Sequence, residues 1–376
     1  MFKQKLFPIW LLIVFACGTF LLAACQTSSD STTKVEAAGA AQTRPTPKND
    51  EPITIAAVGD IMLGSTFPNE TRMPPDDGKN LLKEVTPILK AADIAFGNLE
   101  GPMLEGGLSS KCGAGRPNCF AFRVPTRYGQ YLKDAGFDVM SVANNHAGDF
   151  GDNGRTSTRK VLDDLGIKHA GSDKDKFAAT IIEAKGKKIA FIGFAHNNIA
   201  LNVNDLEAAR RAVIEQSKKA DIVVVSFHGG AEGTDAQHVP NKSEIYFGES
   251  RGNLPQFAHT VIDAGADLVL GHGPHVMRGM EIYKDRLIAY SMGNFATYGW
   301  FTLRAETALT AIFEAKIAAD GKFISGKLTP ARQDGRGGPV LDKTAKTAIA
   351  TVKNLSTQDF GANAPVIKDD GTFTAK

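Results

Sequence analysis

The sequence is short of cysteine, of tryptophan and tyrosine, and of any excess of one charge. Its 376 residues include four cysteines, two tryptophans and six tyrosines. Four cysteines cannot staple a chain of this length, so the fold has to rest on an apolar core, for which 43% hydrophobic residues are sufficient. The 43 basic and 41 acidic side chains nearly cancel. That balance lacks the clustered cationic excess needed to grip nucleic acid irrespective of sequence, so no nucleic-acid partner is expected. There is no G-x-x-x-x-G-K-[ST] phosphate loop, which speaks against ATP-driven ligation by this chain alone. Internal repeats are absent, and the one long apolar run, residues 6–24, lies at the N-terminus.

Lys3 and Lys5 precede that run, which closes on Leu22-Ala23-Ala24-Cys25. A basic start, an apolar stretch and small residues before a cleavage point describe a secretory signal over residues 1–24. The Leu-Ala-Ala-Cys ending resembles the bacterial lipobox, which implies that Cys25 is lipidated and anchors the chain to a membrane. In a two-membraned bacterium, Gln26 rather than Asp favours the outer one. The alternative for a run of this length is an uncleaved transmembrane anchor. Either places the body outside the cytoplasm. The following residues to position 50 are rich in Ser, Thr, Ala and Pro with almost no large apolar side chain, the composition of a flexible tether.

Two cysteines remain, Cys112 and Cys119, around a Gly/Pro-rich turn. In an oxidising compartment they are most simply a disulfide. A metal pair is the alternative, although no further cysteine is available to complete such a site.

From Ile53 onward, short runs rich in Val, Ile, Ala and Phe alternate with amphipathic stretches. Strands are expected at 53–58, 92–98, 137–143, 187–195, 220–227 and 266–271, and helices at 80–91, 126–135, 152–165, 205–219 and 253–264. Near-continuous apolar strands alternating with helices predict parallel pairing with both faces covered. Later segments alternate around Asp-Gly and Lys-Asp turns and should pair antiparallel. The body is expected over 51–335. An extension over 336–376 has one helix near 342–354.

Polar, metal-capable residues gather at the carboxyl ends of these strands, where open α/β sheets bind ligands. Strand 53–58 runs into Asp60, 92–98 into Asn98 and Glu100, and 137–143 into Asn144, Asn145, His146 and Asp149. Strand 220–227 ends at His228, and 266–271 at His272 and His275. Oxygen and imidazole donors arriving together suit manganese, iron or zinc better than calcium. Two such ions would polarise a phosphoryl oxygen and acidify a bridging water.

The motifs AAVGDIMLG (56–64), ADIAFGNLEGP (92–102), FDVMSVANNHAGDFG (137–151), IAFIGFAHN (189–197), VVVSFHGG (223–230), GADLVLGHGPHV (265–276) and YSMGNF (290–295) resemble, in this order, the CapA family associated with poly-γ-glutamate capsule synthesis. That family has a calcineurin-like metallophosphatase fold. The resemblance implies a layered α/β sandwich with mixed sheets and active-site loops at the strand C-terminal ends. It further implies divalent metal, two ions, held by Asp60, Glu100, Asn145, His228, His272 and His275. His146 would be the catalytic imidazole, with Asp149 orienting it. Asn98, Asn144, Glu232, His238 and Asn294 would line the substrate pocket. Three features depart from ordinary metallophosphatases: Met62 stands where a histidine is usual, the last motif is His-x-x-His, and Gly229 replaces an aromatic residue.

The leading functional reading is an extracytoplasmic lipoprotein for assembly or export of poly-γ-glutamate or a related capsule. It would act on, or bind, a phosphorylated or polyanionic intermediate, with ATP-dependent ligation left to membrane and cytoplasmic synthase subunits. The alternatives are a secreted phosphoesterase unrelated to capsule and a non-catalytic scaffold of the synthase complex.

Overall fold

The computed structural model describes residues 50–112, 119–333 and 337–376. Cys25, the expected signal and the tether through residue 49 lie outside them. In chain order the protein builds one sheet, crosses to a second, and returns to complete the first. The first sheet begins with β1 (Ile53–Met62), β2 (Ile94–Leu99), β3 (Val139–Ser141) and β4 (Lys168–Ala170). The second begins with β5 (Ala179–Ala184), β6 (Lys187–Ala195), β7 (Leu201–Asn202) and β8 (Ile222–His228). A separate ribbon joins β9 (Glu244–Tyr246) to β10 (Glu249–Gly252). The second sheet resumes with β11 (Leu268–His272), β12 (Met280–Tyr283) and β13 (Arg286–Ala289). The chain then re-enters the first with β14 (Asn294–Thr297), β15 (Leu309–Ile317), β16 (Phe323–Gln333), β17 (Pro339–Leu341), β18 (Val366–Ile367) and β19 (Thr372–Thr374).

Strands β1–β4 pair in parallel, as do β6, β8 and β11, so the expected parallel pairing holds within each sheet. The hairpins β12–β13 and β15–β16 are antiparallel, as their alternation around turns predicts. Both sheets are therefore mixed. Side chains on β1 alternate between two cores, as a period of two requires. Ile53, Ile55 and Ala57 face the second sheet, and Ala56 and Val58 face the helices. Ile189, Phe191, Val224 and Leu270 fill the shared interior from the other side. There Phe96 stacks on Phe191 with ring centroids 5.4 Å apart.

Outside the first sheet lie α1 (Thr86–Leu89), α2 (Gly129–Ala135) and α3 (Gly151–Asp164). Outside the second lie α4 (Leu206–Ser217) and α5 (Leu254–Asp263). The outcome is a layered α/β sandwich with two mixed sheets at its centre, as expected. Among the described residues no helix is long and apolar enough to cross a membrane.

Two local expectations needed correction. The helix expected over 80–91 reduces to α1, because Pro87 has no N–H to donate to the carbonyl four residues back and so breaks a ladder through that span. The preceding residues form tight turns instead, with Val85 N–H on Leu82 O at 3.2 Å. The last helix, α6 (Thr347–Phe360), is shifted toward the C-terminus from its expected position. Its Ala348, Ile349 and Val352 enter the inter-sheet core, and β19 pairs with β16.

Candidate metal centre

Strand register assembles the site. On the first sheet the ladders set Asp60 opposite Asn98 on one side and Asn294 on the other. On the second, His228 and His272 are direct partners across β8 and β11. Glycines let these segments approach. A Cβ on Gly59 would lie 1.9 Å from Gly293 O, and in that tight crossing Asp60 N–H donates to Gly293 O at 2.9 Å. At Gly229 a Cβ would meet Arg251 O at 2.8 Å, so the fold has no room there for the aromatic side chain usual in metallophosphatases.

The two strand-end sets meet. His275, in the left-handed region at φ 59°, brings Nδ1 to 3.0 Å from Asp60 Oδ2 and Nε2 to 3.6 Å from Glu100 Oε1. His272 Nδ1 lies 3.4 Å from Asp60 Oδ1. Asn98 Nδ2 donates to Asp60 Oδ1 at 2.8 Å and stands 3.4 Å from His228 Nδ1. Asn144 Nδ2 in turn donates to Asn98 Oδ1 and Leu99 O. Asn294 Oδ1 is 3.1 Å from His275 Nδ1. Ligand atoms of Asp60, Glu100 and His275 all fall within 4.8 Å of one another, and all three residues are buried. Met62 instead packs its thioether into the apolar layer with Ile61 and Leu63.

Burial and charge act against each other throughout. Burial would raise the Asp60 carboxyl, but contacts to His272 and His275 hold it well below its ordinary range. Glu100 has no such hydrogen bonds, and burial pushes it well above. Burial drives His228 well down. Burial would lower His275 too, but Glu100 and Asp60 outweigh it and push it up to about 10.

A second group adjoins this one. His146 Nδ1 lies 2.7 Å from Asp149 Oδ2, and its Nε2 faces Glu100 Oε1 at 3.9 Å. Burial lowers the His146 imidazole, with Asp149 opposing. Phe122 stacks on its ring at 3.9 Å and donates its backbone N–H to Asp149 Oδ2 at 2.8 Å. Lys111 Nζ lies 3.3 Å from Asp149 Oδ1. Sequence reasoning missed Lys111, Phe122 and Phe301, whose ring meets His275 edge-on at 4.8 Å. The available signal was the disulfide: Cys112 and Cys119 are bonded, and their loop carries Lys111 at one foot and leads into Phe122 at the other.

Of the remaining expected residues, Glu232 reaches the cluster, with Oε2 3.9 Å from His275 Nε2 while Arg251 holds its Oε1 at 2.8 Å. His238 lies apart from this cluster: its imidazole pairs with Asp359 on α6 at 2.7 Å and lines a separate cavity. His196 borders the site, its Nδ1 3.3 Å from His228 O. His169 and His259 are structural, paired with Asp163 and Glu281.

Several buried polar atoms here have no hydrogen-bond partner among the described residues: both carboxylate oxygens of Glu100, Asn145 Oδ1, His228 Nε2 and His272 Nε2. Buried groups of this kind are rarely left unpaired. Their types, carboxylate, amide oxygen and imidazole nitrogen, fit a divalent transition ion, so the residues present suit the group the sequence implies.

Fold and site together define a layered α/β protein whose strand-end loops form a candidate divalent-metal centre. Residues 54–298 match the model of the bacterial capsule synthesis protein PGA_cap family, and the chain belongs to that family. It is similar to the PGA biosynthesis protein CapA of Bacillus subtilis, with 30% identity over 73% of this chain and 71% of that one. The capsule biosynthesis protein CapA of Bacillus anthracis shares 27% identity over 80% of this chain and 73% of its own. Among solved structures, one described as a novel phosphatase from Mycoplasma pneumoniae aligns with TM-score 0.47 and 13% identity, covering 75% of this chain and 94% of that one.

Proposed function

We propose that this chain is an extracytoplasmic, lipid-anchored accessory of poly-γ-glutamate or related capsule assembly. Its metal centre would bind, or cleave a phosphoester in, a phosphorylated or polyanionic intermediate. The observation that carries the proposal is the set of buried, unpartnered donors on Glu100, Asn145, His228 and His272 beside the His146–Asp149 pair. Asp60, Glu100, Asn145, His228, His272 and His275 would hold manganese, iron or zinc. Such an ion supplies Lewis-acid polarisation of a phosphoryl oxygen and a more acidic bound water.

The chain's own groups do the rest. Asp149 fixes the His146 ring through Nδ1, which leaves Nε2 to hold or deliver a proton toward the leaving group. Lys111 and the Phe122 N–H hold Asp149 in place. Lys111, partly exposed beside the site, also offers positive charge to an arriving anion. Phe122 and Phe301 cover the two imidazoles and exclude water. Ligation of the polymer would belong to membrane and ATP-hydrolysing synthase partners.

The test is capsule polymer produced by cells whose only copy carries His146→Ala or His228→Ala. The expected result is loss of polymer in both. Normal polymer from both, with the protein present at the surface, would overturn the proposal.

A further inference from the structure

A row of aromatic rings runs outward from the two imidazoles of the site. Phe120 and Phe122 follow the disulfide loop, and Trp300 and Phe301 follow β14. Phe122 stacks on His146, and Phe301 meets His275 edge-on. These two phenyl rings are themselves 5.7 Å apart at 53°. Trp300 then touches Phe122 at 5.9 Å and 48°, and Phe120 at 5.6 Å and 77°. Exposure rises along the row: Phe122 is buried, Trp300 and Phe301 are half-buried, and Phe120 is 48% exposed. A lone exposed Phe would be ordinary, but this one ends a contiguous row that starts at the candidate centre.

Cations flank both ends. Lys111 Nζ stands 3.5 Å from His146 Nδ1 at the inner one. At the outer one the Arg72 guanidinium lies 3.7 Å over the Trp300 ring and donates to Gly299 O. Gly299, at φ 83°, lets that turn close on the Arg72 backbone, whose carbonyl oxygen a Cβ would meet at 3.1 Å. Trp300 Nε1 is buried without a hydrogen-bond partner among the described residues, so no hydrogen bond of its own fixes the indole.

We propose that this row is a subsite for a planar aromatic ring carried, several bonds from the phosphorus, by the phosphoryl compound held at the centre. The four rings meet edge-on or tilted, so they offer slots between faces, and a thin planar group enters a slot that a puckered sugar does not fit. Arg72 covers one face of the indole and leaves the other for the guest. The spacer follows from the order of the row, because Trp300 and Phe120 lie beyond Phe122, out of reach of a ring bonded directly to phosphorus. The inference deepens the metal-centre reading above, on which the position of the phosphoryl group rests.

Trp10 falls in the expected signal, so Trp300 is the one tryptophan of residues 26–376, and its fluorescence reports on the row. That chain is titrated with 4-phenylbutylphosphonate, with decylphosphonate of equal carbon count and with methylphosphonate, while metal content is read in parallel. The expected result is that the phenylbutyl compound binds about tenfold tighter than the decyl one and shifts Trp300 emission, which methylphosphonate does not. Phe120 is exposed, so Phe120→Ala should fold. It and Trp300→Leu, followed by calorimetry, should each lose the preference at unchanged metal content and methylphosphonate affinity. An adenosine phosphonate tells a purine from a simple aryl ring, and tighter binding of either than of decylphosphonate supports the inference. Failure of every ring-bearing phosphonate to bind would overturn it, as would a preference that both variants retain. Methylphosphonate bound with no gain from a ring would also overturn it, and would leave the metal-centre reading standing. Ring-dependent binding by a chain that takes up no metal would support the inference and defeat that reading.

Discussion

The two sheets bring different chemistry to one seam. The first supplies oxygen donors, Asp60, Asn98 and Glu100 at its strand ends and Asn144 and Asn145 just beyond. The second supplies nitrogen donors, His228 and His272, with His275 in the loop that follows. Acids packed only among themselves would repel and protonate, and buried imidazoles alone would stay neutral without an anion to share. Where the sets interleave, hydrogen bonds from two histidines hold the Asp60 carboxyl down, while Glu100, without such hydrogen bonds, is pushed up by burial. The lesson is that the site belongs to the contact between sheets, and Phe96 stacked on Phe191 just below it fixes their spacing.

Removing one donor from either sheet should break the comparison most severely. Glu100→Ala and His272→Ala should each abolish metal-dependent activity, and the double variant should lose no more than either single one, because groups acting as a unit are not additive. Additive losses measured in a double-mutant cycle would mean the two sheets act independently. Next in size is His146→Ala, which should cut turnover of a phosphoester about 10²–10⁴-fold while leaving bound metal unchanged by elemental analysis.

A pH series sharpens the comparison further. His275, raised to about 10, carries a proton at neutral pH that a metal must displace. Metal affinity should therefore rise with pH, by about tenfold per unit for each proton released. In the metal-free chain the sign is opposite for stability. His275 is raised above its ordinary 6.5, so its contribution is complete below about 6.5 and lost as pH climbs through about 10. Denaturant titrations with and without metal check both. The smallest effect is expected of Lys111→Ala. It should lower turnover several-fold, because the Asp149 carboxylate that orients His146 loses its ammonium contact.

Much of this was legible in the sequence, for identifiable reasons. Strands β1, β2, β6, β8 and β11 are covered on both faces, and continuous apolar runs such as IVVVSFH record that burial directly. The ligands follow those runs at once, so their convergence could be read from strand ends. The division into two sheets could not, because parallel strands facing a common core carry the same pattern in either. Lys111, Phe122 and Phe301 were also invisible. They reach the site through loops, where no periodicity announces direction. That α6 captures the His238 imidazole could not be read from its sequence proximity to Glu232.

The most direct measurement of the central claim is metal stoichiometry, by elemental analysis of residues 26–376 purified from an oxidising compartment without chelator. The expected result is one to two equivalents of manganese, iron or zinc, lost both in Asp60→Ala on the first sheet and in His228→Ala on the second. A chain that arrives without metal and takes up none on titration, or one that keeps its metal in both variants, would contradict a centre built where the two sheets meet.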